Sequence, residues 1–195
     1  MIIKKGYFLD NDVIIVNREL TQLDLFLKDF IDILKKYSYY LVVNGYVNIS
    51  TGRTRATEDI DILFPLMEKE KFILLFNDLT NGSFWCYQGD NYEEVYSYIE
   101  NFNNIRFAKT NEMFSNIEFI PINKTKKAKF FEFSHPQKIK IKNFGFKIPP
   151  IGFEILYKEL VLARKKDIED AKHLKLFFSD ILKEEKFKEF KNIIK

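Results

Sequence analysis

The chain has 195 residues, 46% of them hydrophobic and 30% charged, which predicts a packed globular domain and excludes a disordered chain. Its net charge of +3 hides an asymmetry, because residues 1–123 carry 12 basic and 18 acidic side chains whereas residues 124–195 carry 19 and 10. No apolar run reaches the ~20 residues of a transmembrane helix and Cys86 is the only cysteine, so we expect a cytoplasmic protein without membrane spans or internal disulfides.

The hydrophobic pattern switches between helical and strand periodicity along the chain. In chain order it predicts a helix over 17–37 capped by Asn17, a strand at 39–43, a short helix or turn after Asn44-Gly45, a strand at 59–64, and helices over 66–80 and 92–102. Strands at 104–110 and 116–122, a Lys-rich stretch of open assignment at 124–135 and a hairpin at 138–148 with its turn near Asn143 to Gly145 follow. The remainder is predicted as two helical segments broken around 165–167 and a last helix near 180–194.

Mixed strands followed by helices predict an α/β (α+β) fold, with a small mixed sheet flanked by helices and a helical C-terminal part. No repeat or low-complexity linker divides the chain. We assign residues 1–150 to a core domain and residues 151–195 to a helical segment packed on it.

Two aspartates open the predicted strand "DIDILF". Strand alternation places Asp59 and Asp61 on one face, where two carboxylates repel each other unless a cation neutralises them. Oxygen-only ligands suit Mg²⁺, with Mn²⁺ as its substitute, and Glu118 in "NIEFI" is a candidate third ligand on a neighbouring strand. Such a site can bind a triphosphate and support phosphoryl transfer.

The segment between the two strands carries candidate phosphate contacts. Gly45 has no Cβ and lets a phosphate approach the backbone, while Asn44 and Ser50 are candidate side-chain donors. Arg53 and Arg55 are candidates either to contact phosphate or to balance the acidic cluster.

The stretch "VVNGY…GRTRATEDIDIL" resembles the signature of the polymerase-β-type nucleotidyltransferase superfamily, in which a pair of small residues precedes an Asp-hydrophobic-Asp strand. Asn44-Gly45 matches the small pair, Asp59 and Asp61 match the metal ligands, and Glu118 takes the third acidic position. The chain is more closely similar to small prokaryotic members, including toxin-type nucleotidyltransferases of abortive-infection systems. Their "R-x-T-x-D-hydrophobic-D" run is matched by Arg55 and Thr57 ahead of the two aspartates.

A second part of the resemblance lies in "YKELVLARKKDIED", which matches a lysine followed by "R-x-K-D-x-x-D" through Lys158, Arg164, Lys166, Asp167 and Asp170. The resemblance implies that Lys158 lies near the nucleotide phosphates and Asp167 near the catalytic cleft. It covers roughly residues 18–180. Two departures concern the site, since Asn44 replaces a small residue and Glu118 is one methylene longer than the usual Asp.

The function implied is Mg²⁺-dependent transfer of a nucleoside monophosphate from an NTP to an acceptor hydroxyl. Asp59, Asp61 and Glu118 are the predicted catalytic metal ligands, with Glu118 as a ligand or base. The predicted nucleotide contacts are Asn44, Gly45, Ser50, Arg55, Thr57, Lys158 and Asp167. The acceptor is either an RNA such as a tRNA end, for which the basic C-terminal third is suited, or a partner protein's hydroxyl.

Each assignment has a simpler alternative. The aspartates can form an exposed strand end paired with Arg53 or Arg55, and Lys158 can be an ordinary exposed helix lysine. Asp167 and Asp170 can cap or salt-bridge helices. At the level of the whole protein, the alternatives are a nucleotide-binding protein that has lost its chemistry and a member of a toxin–antitoxin pair.

Overall fold

The computed structural model describes residues 6–54 and 59–194. Within them the strands are β1 (Tyr7–Asp10), β2 (Val13–Val16), β3 (Leu41–Val43), β4 (Asp59–Pro65), β5 (Phe84–Cys86), β6 (Ile105–Lys109), β7 (Asn116–Ile122), β8 (Gln137–Ile141) and β9 (Phe144–Ile148). The helices are α1 (Gln22–Leu34), α2 (Gly45–Ser50), α3 (Lys69–Asn81), α4 (Tyr92–Glu100), α5 (Lys127–Ser134), α6 (Ile151–Tyr157), α7 (Lys165–Phe177) and α8 (Glu184–Ile194). A π-helical turn, Lys158–Leu162, continues α6.

Two mixed sheets organise the chain. The central sheet has the strand order β3-β4-β7-β6-β5, and only its β4–β7 pair is parallel. The second sheet has the order β1-β2-β8-β9, and its edge strand β9 packs beside β3. The predicted mixed α/β architecture with a helical C-terminal part is confirmed, whereas the division into two units at residue 150 stays a prediction.

An aromatic core covers one face of the central sheet. Phe30 of α1 meets Phe84, Phe107 and Phe119 at ring-centroid distances of 5.3, 5.6 and 5.9 Å. All four side chains are nearly inaccessible to solvent, and burial of this size is the main source of stability for such a layer. The inward residues of β4 belong to this core, so the alternate residues of that strand must face the other way.

The opposite face of the central sheet is covered over only part of its area. A small apolar cluster lies there, formed by Leu41, Val43, Leu63 and Ile122 with Phe133 of α5 packed against it. Asp59 and Asp61 share this face but precede the cluster along β4. The start of β4 therefore carries polar side chains beside an apolar layer, at the point where the sheet is open to a cleft.

The first helix begins four residues later than the helical periodicity predicts. Thr21, and not Asn17, is its N-cap, because the Thr21 side chain accepts from the Asp24 N–H while Asp24 accepts from the Thr21 N–H at 2.6 Å. This reciprocal arrangement is a capping box, and it satisfies two backbone donors that would otherwise lack partners.

Other boundaries also differ from the prediction. The helical break lies at Ala163, whose φ of 51° ends the π-helical turn, rather than at 165–167. The turn of the β8–β9 hairpin lies before Phe144, so Gly145 belongs to a strand. The open stretch 124–135 contains α5. The short strands β1, β2 and β5 were not predicted from the sequence.

A buried ionic contact joins α1 to α2. Arg18 donates two hydrogen bonds to the Asp24 carboxylate, at 2.6 and 2.8 Å, and a third to the Ser50 carbonyl at 3.0 Å. The Tyr46 hydroxyl of α2 also donates to Asp24, which is fully buried. Although burial alone would raise the pKa of Asp24, these donors hold it below its usual value. The contact fixes α2, and α2 begins at the cleft.

Among the residues that the structure describes, no helix combines the length and the apolar character that crossing a lipid bilayer requires.

Replacing Asp24 with Ala should lower the free energy of unfolding by about 3 kcal/mol or more, because Arg18 and Tyr46 lose a buried partner. Asp32→Ala on the same helix is the matched control. It removes only partly exposed lysine pairs and should cost less than about 1 kcal/mol. Chemical denaturation measures both values, and equal losses would contradict the role of Asp24 as an anchor.

Candidate active site

A polar cleft of about 270 Å³ lies between the central sheet and α7. Four segments meet there, namely the β3–α2 turn, the start of β4, the middle of β7 and the chain entering α7. Its lining residues are Asn44, Gly45, Asp59, Asp61, Glu118, Ile120, Arg164, Lys166 and Asp167. The three predicted metal ligands and the predicted residues Asn44, Gly45 and Asp167 are therefore brought together.

The acidic wall of the cleft is built by strand register. Asp61 of β4 lies directly opposite Glu118 of β7, and Asp59 lies opposite Asn116. Neighbouring positions in register point to the same face of a sheet, so the side chains of Asp61 and Glu118 lie side by side. Burial, followed by the charge of Glu118, raises the pKa of Asp61 to about 6 even though the Asn44 amide opposes the shift.

Side-chain amides contact all three acidic residues. Asn44 Nδ2 donates to Asp61 at 2.7 Å, and Asn116 Nδ2 donates to Asp59 at 2.8 Å. A third amide, Asn104 Nδ2, donates to Glu118 Oε1 at 2.8 Å. An Arg106 guanidinium nitrogen lies 3.5 Å from the same oxygen of Glu118.

Asn44 lies where the resemblance expects a small residue. Its φ of 60° and ψ of −124° lie outside the left-handed helical region in which asparagine is enriched and form a conformation that glycine adopts more readily. The departure therefore places a side chain at a backbone position that favours glycine, and it adds a donor for Asp61.

The basic wall comes from Arg164, the N-cap residue of α7, and from Lys166 in the first turn of α7. Arg164 donates to Asp167 at 2.5 Å, and it and Lys166 line the cleft. Burial would raise the pKa of Asp167, but the Arg164 guanidinium outweighs it and lowers that pKa. The cleft thus has carboxylates on the sheet and two cationic side chains facing them from α7, a distribution suited to a metal-bound polyphosphate.

Lys158 occupies a different environment from both sequence interpretations. Its side chain is inaccessible to solvent, and its ammonium lies 3.2 Å from Glu154 and 3.2 Å from Asp170. It is therefore neither an exposed helix lysine nor a residue that lines the cleft. Asp170 also pairs with Arg53 at 3.0 Å, so it salt-bridges α7 to the segment after α2.

The remaining predicted contacts are not assembled at the cleft. The Ser50 hydroxyl is buried and donates to the Val47 carbonyl at 2.7 Å. The Arg53 guanidinium forms ion pairs with Glu169 and Asp170, which both belong to α7. Arg55 and Thr57 fall within 55–58, outside the described residues.

The donor set at the acidic wall fits a hard divalent cation. Only oxygen ligands are offered there. Within residues 6–54 and 59–194, no Lys or Arg side chain forms a salt bridge with Asp61, which lies beside Glu118. In that same part of the chain, no three His, Cys, Asp or Glu side chains are already close enough to form a complete ligand set. Asp61 and Glu118 lie side by side, and Asp59 lies two residues before Asp61 on the same face.

Asn104, Arg106 and Asn116 were not identified from the sequence. Alternation along β7 was sufficient to place Asn116 on the face of Glu118, because the two are separated by one residue. Asn104 and Arg106 depend on the antiparallel register of β6 with β7, where Arg106 lies opposite Glu118. That register cannot be read from one sequence.

No protein-family model matches this sequence, and no curated protein matches it. Among solved structures, the chain is similar to the lincosamide antibiotic adenylyltransferase LnuA in its lincomycin-bound crystal structure, with 18% sequence identity and a TM-score of 0.54. The similarity covers 82% of this chain and 99% of that one. At this identity it shows the fold, so the nucleotidyltransferase type of architecture is confirmed, and the likeness to the toxin-type members stays a prediction.

Replacing Lys158 with Met should lower the free energy of unfolding by about 3–5 kcal/mol, because Glu154 and Asp170 lose their shared buried cation. Lys166→Met, at an exposed residue of the cleft, should stay within about 0.5 kcal/mol of the wild type. Urea denaturation compares the two. A Lys158→Met protein as stable as the wild type would show that the buried ion pairs do not stabilise the fold.

Proposed function

We propose that this protein is a divalent-metal-dependent nucleotidyltransferase that moves a nucleoside monophosphate from an NTP to an acceptor hydroxyl. The observation that carries the proposal is the placement of Asp61 beside Glu118, opposite Arg164 and Lys166, in one polar cleft. Neighbouring carboxylates favour a bound cation, and cationic side chains across a cleft favour an anionic substrate. The fold shared with an adenylyltransferase supports the same reaction class.

Asp59, Asp61 and Glu118 are the residues that would hold Mg²⁺ or Mn²⁺. The bound metal supplies positive charge that draws the triphosphate into the cleft and stabilises the departing pyrophosphate. Arg164 and Lys166 contact the phosphates from the side of α7, and Gly45 leaves its backbone open to them because it has no side chain. We assign Asp167 the role of orienting Arg164, to which it is bonded.

In the transfer step the acceptor oxygen attacks the α-phosphorus. A new phosphorus–oxygen bond forms as the bond from that phosphorus to the bridging oxygen of pyrophosphate breaks. We assign Glu118 as the group that takes the proton from the acceptor hydroxyl, since it lies in the same cleft as the ligands. The products are the nucleotidylated acceptor and pyrophosphate.

The acceptor that we favour is an RNA such as a tRNA end. Lys138 and Lys140 are exposed on one face of β8, and Lys147 of β9 lies directly opposite Lys138. The Lys147 ammonium lies 5.2 Å from the centroid of the Tyr39 ring, a cation–π contact within the protein, whereas Lys138 and Lys140 extend into solvent, where they would suit an anionic partner such as RNA. A hydroxyl of a partner protein, as in a toxin–antitoxin pair, is the second possibility. The LnuA structure adds a small antibiotic as a third class of acceptor to test.

A nucleotide-binding protein without chemistry is the alternative function. The contact that favours it is the ion pair of Arg106 with Glu118 Oε1 at 3.5 Å, because a cationic partner competes with a metal for the charge of that carboxylate. Metal-dependent NTP affinity with no turnover would distinguish this protein from the enzyme.

The test is incubation of the purified protein with each α-³²P-labelled NTP, Mg²⁺ or Mn²⁺, and in turn total RNA, cell protein or lincomycin. We expect label in the RNA fraction and a loss of at least about 100-fold in Asp61→Asn, because a predicted metal ligand is removed. Asp32→Asn, on the solvent side of α1, is the matched control and should keep full activity. Label transfer that is equal in Asp61→Asn and the wild type, or absent with every NTP and acceptor, would overturn the proposal.

A further inference from the structure

Three asparagines each donate a side-chain amide hydrogen bond to one of the three acidic residues of the cleft. Asn44 bonds Asp61 at 2.7 Å, Asn116 bonds Asp59 at 2.8 Å and Asn104 bonds Glu118 at 2.8 Å. They come from three separate places, the β3–α2 turn, the first residue of β7 and the residue before β6. The same pairing of amide and carboxylate therefore arises from three independent parts of the chain.

A neutral amide affects the carboxylate that it bonds differently from a lysine or arginine in its place. It fixes the torsion angle of a carboxylate through a directional hydrogen bond, yet it leaves the negative charge in place. A cationic partner would orient the group equally well but would compete with a metal ion for that charge. At Glu118 a cationic side chain is present as well, because Arg106 Nη2 lies 3.5 Å from the same oxygen.

The orientation of two of the amides indicates that the hydrogen bond to the carboxylate determines it. The Oδ1 atoms of Asn44 and Asn116 are buried and have no hydrogen-bond partner within the described residues. A buried carbonyl oxygen without a partner costs free energy. Flipping either amide would aim that oxygen at a carboxylate, so the observed orientation is the one that the acidic residue requires.

We propose that Asn44, Asn104 and Asn116 are positioning residues that orient the three carboxylates to bind a divalent cation. The inference rests on the proposed function. Hydrogen-bond partners of metal ligands generally contribute a factor of about 10 to 100 to metal affinity, and we assign that contribution here to the three amides. They act through the ligands and do not contact the metal.

The experiment measures Mn²⁺ affinity by electron paramagnetic resonance of the free ion, with a non-hydrolysable NTP present, so that no turnover is needed. Asn44→Gly, Asn104→Ala and Asn116→Ala should each weaken Mn²⁺ binding about 10-fold or more. Asn104 is exposed, so its substitution leaves the fold intact and decides the question if a buried variant fails to fold. Thermal melting of each variant separates lost affinity from lost stability.

Two matched controls have the same substitutions away from the cleft. Asn11 also has a positive φ, 45°, and donates its amide to a carboxylate, that of Asp10 at 3.1 Å, so Asn11→Gly matches Asn44→Gly. Asn101→Ala removes an exposed amide that donates to the Ser97 carbonyl and matches Asn104→Ala. Both controls should bind Mn²⁺ as the wild type does.

The outcomes separate this inference from the proposed function. If Asp61→Asn loses Mn²⁺ but the folded asparagine variants bind it as the wild type does, the positioning role is overturned and the proposed function stands. If the wild type itself binds no Mn²⁺, or Asp61→Asn binds it equally well, both fail. A loss in the two controls as large as in the cleft variants also overturns the positioning role.

Discussion

The repulsion between Asp61 and Glu118 is the constraint around which the cleft is organised. The parallel register of β4 and β7 places them side by side, and burial raises the pKa of Asp61 to about 6. Apolar packing behind β4 leaves that strand no freedom to turn the aspartate away, because a shift by one residue would bury both aspartates in the aromatic core. A cation between the carboxylates would relieve that repulsion, which is why we propose a metal site there.

Buried ionic contacts hold the two sides of this cleft. On one side Asp24 joins Arg18 to Tyr46 and so fixes α2, which begins at the cleft. On the other side Lys158 and Asp170 join the π-helical turn to α7. Buried pairs are costly to break even where their net contribution to stability is small. They therefore keep α2 and α7 in one arrangement around a site whose own charges repel.

Part of the site was accessible from the sequence because it depends on local rules. Alternation along a strand was enough to place Asp59 and Asp61 on one face and to select Glu118, and the structure brings these three to one cleft. The environment of Lys158, in contrast, does not follow from local rules. Its position in a helical motif is local, but its burial depends on Glu154 and Asp170 from two different helices, so the sequence did not separate a phosphate contact from a buried ion pair.

The mixed α/β class, most of the longer elements and the paired carboxylates follow from the sequence, because hydrophobic periodicity and strand alternation act over a few residues. The pairing of β6 with β7, the three amide contacts and the basic wall from α7 are visible only in the folded protein. These depend on strand register and on contacts between residues 14 to 57 positions apart, such as Asn104 with Glu118 and Asn116 with Asp59. Contacts of this kind are set by how whole elements pack, and no local pattern specifies them.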